Sequence, residues 1–370
     1  MKNLLRVSFG VAGLVFIFLT GGYAQQVKRA AFDVTGYRIE ADLSPADNRL
    51  TAVADVTFVP QEATRVVTFE LNGSLKLENI SRVSGGVPAD TAKPRAARIA
   101  PAATGNITFV QDQVGVSDLG PSVRVEMPDD LPKGVPVTLR FKYAGVLNTA
   151  NGGPLLNKRL AYVGDDQGYL MYASRWFPFH DYAADLATSD ITINIPSGLQ
   201  VLGFSDAAVS GAAGKFHFTQ SRPGLVGNFA YGRFTNKTMR FGDYELQFYT
   251  RPGNDTQVES FGETIGKALE FYTKKYGASD MGKRLIIAQI DDESLDFYTS
   301  LGMLFISSRE FEQPREITQE RLQRETALQW WGQTVGLKSF DDAWLSQGLA
   351  EYSAYALRES TVNGAQLEGL

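Results

Sequence analysis

The sequence contains no cysteine and only two histidines, His180 and His217, in 370 residues. The absence of cysteine excludes disulfide bonds, thiolate metal ligands and a cysteine nucleophile. Because neither histidine lies beyond residue 217, the remainder of the chain has no imidazole to bind a metal or to act as a base. Stability must come from hydrophobic cores, which a chain of this length can supply.

The sequence also lacks a strong excess of charge of either sign. Its formal net charge is -5, and no run of like charges is long enough to form an interaction tail. Binding to nucleic acid is not expected, because it needs a basic patch or stripe. The content of 44% hydrophobic and 21% charged residues is typical of a globular protein. Length alone allows two or three domains.

Only the N-terminus carries a long apolar run. Lys2 and Arg6 are followed by "VSFGVAGLVFIFLTGG" and then by Ala24 before polar sequence. This pattern predicts a signal peptide, residues 1–24, cleaved after Ala24. The alternative is an uncleaved anchor, but the apolar run of roughly 13 to 16 residues is shorter than the ~20 that span a bilayer. We expect an exported protein, periplasmic or extracellular, that is not integral to a membrane after cleavage.

The rest of the chain divides into two patterns. Residues 27–250 alternate apolar and polar residues, as in "YRIEADLS", "LTAVADVTFVP" and "VTLRFKYAG", which predicts an all-β domain. Residues 251–370 are mixed. A first helix is predicted to end at Gly277, with one apolar face: Val258, Phe261, Ile265, Leu269 and Tyr272. The strands "KRLIIAQI" and "GMLFISS" follow, then a second helix to Gly336 and a third with Asp341 or Asp342 as N-cap.

Two stretches of the second half carry the information about function: "RETALQWWG", which begins at Arg324, and "DDAWLSQGLAEY", which begins at Asp341. Together they resemble the M1 zinc aminopeptidases, in the gluzincin group. In that family the first stretch reads His-Glu-x-x-His and the second supplies a Glu as the third zinc ligand. Eighteen residues separate Leu328 from Gln347, which is the family's spacing between the second His and this Glu.

Two further stretches support the resemblance. "SRWFPFHDYAADLATSDITINIPSGLQV" is similar to the family's Trp-Phe-Pro segment, and "YRIEADLSPADNRLTAVADVTF" to its opening strands. The resemblance covers about residues 30–370. It implies an α+β multidomain fold: an N-terminal all-β saddle-like domain, then a thermolysin-like α/β catalytic-type domain. The family's second domain has further helices, so residues 251–370 are expected to be incomplete, and the chain is either short or a fragment.

The resemblance places Arg324, Leu328 and Gln347 at the three zinc-ligand positions and Glu325 at the general-base position. Residues four apart on a helix share one face, which lets a first and a fifth residue reach one ion. The residues present are not zinc ligands, however. Arginine has no lone pair to donate, leucine is apolar, and a neutral amide oxygen is a weak zinc donor. We expect no metal and no cofactor, with Glu325 an inactive remnant.

A second family element also differs. M1 enzymes bind the substrate's amino terminus with the Glu of a Gly-x-Met-Glu-Asn loop. The matching stretch, "LDFYTSLGMLFISS", puts Thr299 near that Glu position, and Thr299 and Gly302 are predicted to lie in the cleft. Arg324 has two interpretations: it replaces the metal's charge and holds a carboxylate, or it is an ordinary solvated or salt-bridge arginine. Trp331 and Trp344 are expected to pack where two helices meet.

Three functions remain open at this point. The first is a catalytically inactive pseudo-peptidase that binds peptide or protein segments. The second is an active zinc metallo-aminopeptidase that releases N-terminal residues, as the resemblance alone suggests. The third is a structural or assembly module. A peptide-binding cleft would distinguish the first function from the third.

Overall fold

The computed structural model describes residues 31–83, 106–112, 121–149, 158–172, 175–181, 185–292, 294–315 and 317–361. The predicted signal peptide, residues 1–24, lies outside these ranges, as do residues 362–370. Within the described ranges, no helix has both the length and the apolar character needed to cross a membrane.

The first part of the chain is built from strands, as the alternating pattern predicts. In chain order they are β1 (Phe32–Ser44), β2 (Arg49–Pro60), β3 (Thr64–Glu70), β4 (Leu75–Arg82), β5 (Thr108–Gln111), β6 (Ser122–Leu131), β7 (Val137–Val146), β8 (Ala161–Val163), β9 (Gln167–Leu170), β10 (Ala187–Asn194), β11 (Gln200–Gly203), β12 (Lys215–Gly224) and β13 (Phe229–Gly232).

These strands form three sheets in the described part of the chain. The largest has the order β12-β10-β1-β2-β7-β4, and the others have the orders β11-β13-β9-β8 and β3-β6-β5. β1 pairs antiparallel with β2 and parallel with β10. Alternate residues of β1, such as Ile39 and Ala41, are buried in a common core, because successive side chains of a strand point to opposite faces. The Trp-Phe-Pro segment joins this core, and the indole N–H of Trp176 donates to the Gly227 carbonyl at 2.8 Å.

The second part mixes helices and strands. It contains β14 (Thr235–Phe241), β15 (Tyr244–Thr250), α1 (Val258–Tyr276), β16 (Arg284–Ile290), β17 (Phe297–Ser300), β18 (Met303–Ser307), α2 (Ser308–Glu312), α3 (Thr318–Ala327) and α4 (Ala343–Thr361). One sheet has the order β14-β15-β16-β18-β17, with β15, β16 and β18 parallel. Two of its strands, β14 and β15, end at or before residue 250, so strand pairing crosses the boundary predicted at 250/251. The position of the domain boundary stays a prediction.

The predicted α+β class is confirmed, and so is the first helix. All five residues of its predicted apolar face are buried in a second hydrophobic core, whose buried residues belong to the second part of the chain. α1 ends at Gly277, which takes a positive φ of 90°. A left-handed residue at this position is the usual end of a helix, and glycine adopts it without a steric penalty.

The other two helices differ from the predictions. The second helix does not reach Gly336 but ends at Ala327, and two tighter turns follow, with N–H groups of Gln329 and Trp330 bonded three residues back. Trp331 packs against Tyr276 as expected, but Trp344 does not join two helices, because its side chain is 69% exposed on α4. Asp342 immediately precedes α4, but its carboxylate accepts the N–H of Ser339 instead.

Candidate functional site

A cleft of about 400 Å³ lies beside α3, at the junction of the two parts of the chain. One wall comes from the first part and holds Leu186 and Leu225. The remaining lining comes from β17, from the end of α3 and the turns after it, and from the start of α4: Phe297, Tyr298, Thr299, Arg324, Glu325, Leu328, Trp331, Gly332, Gln333, Gly336, Leu337, Ala343, Ser346 and Gln347. The cleft therefore contains Thr299 and all four positions singled out by the motif spacing.

Arg324 connects α3 to α4 across the cleft floor. Its Nη1 donates to Glu325 Oε1 at 2.6 Å, and its Nη2 donates to Gln347 Oε1. Its Nε lies 3.0 Å from Glu351 Oε2. The guanidinium is thus held by two carboxylates and an amide, and it contacts the side chain at the third ligand position directly. Arg324 is therefore not simply solvated, and replacement of the metal's charge and an ordinary salt bridge both stay predictions.

Glu325 is almost completely buried, at 7% exposure. Its Oε2 accepts a hydrogen bond from Thr299 Oγ1 at 2.7 Å, and its Oε1 accepts the one from Arg324. Burial raises the pKa of this carboxyl, while the Thr299 hydrogen bond and the charges of Arg324 and Arg321 offset part of the rise. Both carboxylate oxygens are therefore occupied by protein donors.

Leu328 extends the apolar side of the cleft. It follows the last residue of α3 with helical backbone angles, and its N–H donates to the Arg324 carbonyl at 3.3 Å. Its side chain packs against the second core and lines the cleft with Leu186 and Trp331. Positions 324 and 328 therefore lie one helical turn apart, and both line the cleft.

Gln329 is an organising residue that the sequence did not reveal. It is fully buried; its Oε1 accepts the Gly302 N–H at 2.9 Å and its Nε2 donates to the Ser300 carbonyl at 2.8 Å. These bonds fix the turn between β17 and β18 against the end of α3. They also explain why Gly302, predicted to lie in the cleft, is outside its lining. The only sequence signal for Gln329 was its position next to the motif, four residues after Glu325.

The residues at this site do not fit a zinc ion. Within the described ranges, no group of three histidine, cysteine, aspartate or glutamate side chains is close enough together to hold a metal. A catalytic zinc site uses three such ligands. Here Arg324 is a cation in contact with Gln347, and Leu328 is aliphatic. Elsewhere, His180 pairs with Asp185 at 2.9 Å and His217 with Asp190 at 2.8 Å, both in the first part of the chain.

Comparison with known proteins identifies the fold. No protein-family model matches the chain, and no curated protein matches it. Among solved structures, an M1 zinc metallopeptidase from Deinococcus radiodurans is 17% identical with a TM-score of 0.65, over 92% of this chain and 74% of that one. A glutamate-to-alanine mutant of the same enzyme, bound to a Tyr-Ser-Ala substrate, aligns with a TM-score of 0.66 over 92% of this chain and 73% of that one, also at 17% identity. The chain therefore has the fold of M1 zinc metallopeptidases.

Proposed function

We propose that this protein is a metal-free counterpart of the M1 zinc metallopeptidases, and that its cleft binds peptide segments without hydrolysing them. One observation carries the proposal: Arg324 bonds to Glu325 and Gln347 where the fold's zinc site is expected. We further propose that it is exported, on the basis of the N-terminal pattern in residues 1–24.

The chemistry of the side chains argues against hydrolysis. A metallopeptidase needs a metal to acidify the water that attacks the substrate. The Arg324 guanidinium would repel Zn²⁺, and Leu328 has no donor atom. Glu325, the remaining member of the set, already accepts hydrogen bonds at both oxygens. Its carboxylate is therefore held in the arrangement with Arg324 and Thr299, and without a metal to acidify a water it has little to deprotonate.

The shape and lining of the cleft support peptide binding. Its volume of about 400 Å³ lies within the range of small-molecule sites, and it combines apolar walls with a few polar groups, as such sites do. The structural neighbour that holds a Tyr-Ser-Ala substrate shares this fold. Most residues that line the cleft lie outside the three metal-ligand positions, so the loss of zinc ligands leaves the rest of the cleft in place.

The alternatives rest on weaker observations. An active zinc metallo-aminopeptidase has the support of the fold, but it needs three ligands that these side chains do not supply. An assembly module has the support of the apolar residues exposed on α4: Trp344, Leu345, Leu349, Tyr352 and Tyr355. Exposed apolar patches of this kind often mark contact surfaces, but α4 exposes them outside the cleft lining, so this role is compatible with peptide binding.

The peptide Tyr-Ser-Ala should bind to the purified protein in the presence of a chelator. A tripeptide gaining about −0.3 kcal/mol per heavy atom would have a Kd on the order of 10 µM. Isothermal titration in EDTA measures the affinity, and chromatography afterwards should recover the peptide intact. Ala343→Trp, which fills the cleft, should weaken binding at least about tenfold by steric exclusion. Ala63→Trp, at an exposed site between β2 and β3, should not. Absence of saturable binding by both this peptide and its N-acetylated form would refute this function.

A further inference from the structure

The charges that line the cleft are already paired. In the lining that the structure describes, the charged side chains are Arg324 and Glu325, which bond to each other. The second oxygen of Glu325 accepts the Thr299 hydroxyl hydrogen bond. Glu351 lies outside the lining and pairs with Arg324 at 3.0 Å. The charge of Glu325, the carboxylate in the described lining, is therefore already balanced by Arg324 before a ligand's ammonium group arrives.

An ammonium group would be disfavoured in this cleft. Taking a charge out of water without a compensating partner opposes binding. Thr299, at the position where the fold's peptidases are expected to have an amine-binding carboxylate, offers a neutral hydroxyl that is already bonded to Glu325. A peptide whose amino group is blocked avoids this desolvation cost.

The remainder of the cleft favours an apolar side chain. Its lining includes the apolar side chains of Leu186, Leu225, Leu328, Trp331 and Leu337. Leu186 is 40% exposed, so a ligand would remove apolar surface from water on that side. Burying an aromatic or large aliphatic side chain in such a site should tighten binding about tenfold or more.

We infer that the cleft recognises a peptide segment by a bulky apolar side chain and does not require a free α-amino group. N-blocked peptides and segments inside a longer chain are then its ligand class. This inference rests on the proposed function, because it specifies which peptides the same cleft binds. It follows from two features together: the paired charges of Arg324 and Glu325 and the apolar residues in the lining.

Three fluorescent peptides test the inference by anisotropy in the presence of EDTA. Each carries fluorescein on a C-terminal lysine side chain: Tyr-Ser-Ala-Lys with a free amino terminus, the same peptide acetylated, and acetyl-Ser-Ser-Ala-Lys. The acetylated tyrosine peptide should bind at least as tightly as the free one. Replacing its tyrosine by serine should weaken binding about tenfold or more, because the buried aromatic surface is lost.

A pair of leucine variants tests the apolar wall. Leu186 in the cleft and Leu345 on α4 have nearly equal exposure, 40% and 41%, but only Leu186 lines the cleft. Leu186→Ser should weaken the acetylated tyrosine peptide by about threefold to tenfold, and Leu345→Ser should leave its affinity unchanged. Both leucines are exposed enough that the variants should fold.

The outcomes separate the inference from the function on which it rests. If acetylation weakens binding more than tenfold, the cleft does recognise an amino terminus, and the inference is overturned while peptide binding stands. Equal affinities for the tyrosine and serine peptides, or an unaffected Leu186→Ser variant, also overturn it. If none of the three peptides binds, the proposed peptide-binding function fails together with the inference.

Discussion

Zinc should bind to a variant that carries Arg324→His, Leu328→His and Gln347→Glu, at one ion per chain. Two imidazoles and one carboxylate are a known ligand set for a catalytic zinc, with an open position for water. Positions 324 and 328 lie one turn apart on the same side of the α3 frame, and the side chains of Arg324 and Gln347 already meet. The backbone of the metal site is therefore expected to be in place.

The effect should be large enough to measure in two ways. Zinc present at 100 times its Kd should raise the free energy of unfolding of the triple variant by about 2.7 kcal/mol. Elemental analysis after gel filtration gives the stoichiometry, and urea unfolding with and without zinc gives the stabilisation. The double variant Arg324→His/Gln347→Glu keeps Leu328 and serves as the matched control, with two ligands and much weaker binding. A triple variant that folds but takes up no zinc would show that positions 324, 328 and 347 do not converge as described.

Arg324→Ala should reduce the free energy of unfolding by about 3 kcal/mol at neutral pH, because it leaves a buried carboxylate without its cationic partner. Glu325 would retain only the Thr299 hydroxyl as a donor. Adding Glu325→Gln to this variant removes the unpaired charge and should recover most of the loss. Chemical denaturation of the wild type, the two single variants and the double variant gives the coupling energy of the pair.

The loss caused by Arg324→Ala should shrink as the pH falls. Burial already raises the pKa of Glu325 above its ordinary value of 4.5 in the folded protein, and removing a positive charge raises it further. Between the ordinary and the raised pKa the folded state binds more protons than the unfolded state, so stability falls as the pH rises through this window. The penalty is therefore smallest below pH 4.5 and complete above the raised pKa.

An exposed ion pair provides the control for this experiment. Arg240 on β14 lies 3.6 Å from Glu245, and its side chain is 82% exposed. Arg240→Ala should change the free energy of unfolding by less than about 1 kcal/mol. If Arg324→Ala is equally mild at neutral pH, or if Glu325→Gln fails to rescue it, the buried pair does not have the structural role assigned to it.

Local patterns predicted the elements that depend on neighbouring residues. The apolar face of α1 and its end at Gly277 follow from helical periodicity and from the conformational freedom of glycine. The convergence of Arg324 and Gln347 was implied by the resemblance to the M1 zinc aminopeptidases, whose spacing the two stretches share.

Features that depend on distant partners could not be predicted. The end of α3 at Ala327 is fixed in part by Gln329, whose side chain bonds to backbone groups of the β17–β18 turn more than 25 residues earlier. The exposure of Trp344 depends on which surface of α4 packs against the rest of the molecule. Pairing of Thr299 with Glu325 joins a strand to a helix 26 residues apart, and a hydroxyl and a carboxylate carry no sequence signal of that contact.

We propose that Arg324, paired with Glu325 and Gln347, stands at the position where this fold is expected to hold a zinc ion. The most direct test is the metal content of the wild-type protein, purified without chelator and incubated with zinc, together with its ability to release the amino acid from a chromogenic amino-acid amide. We predict no stoichiometric zinc and no release that a chelator abolishes. One zinc per chain with chelator-sensitive release would contradict the account.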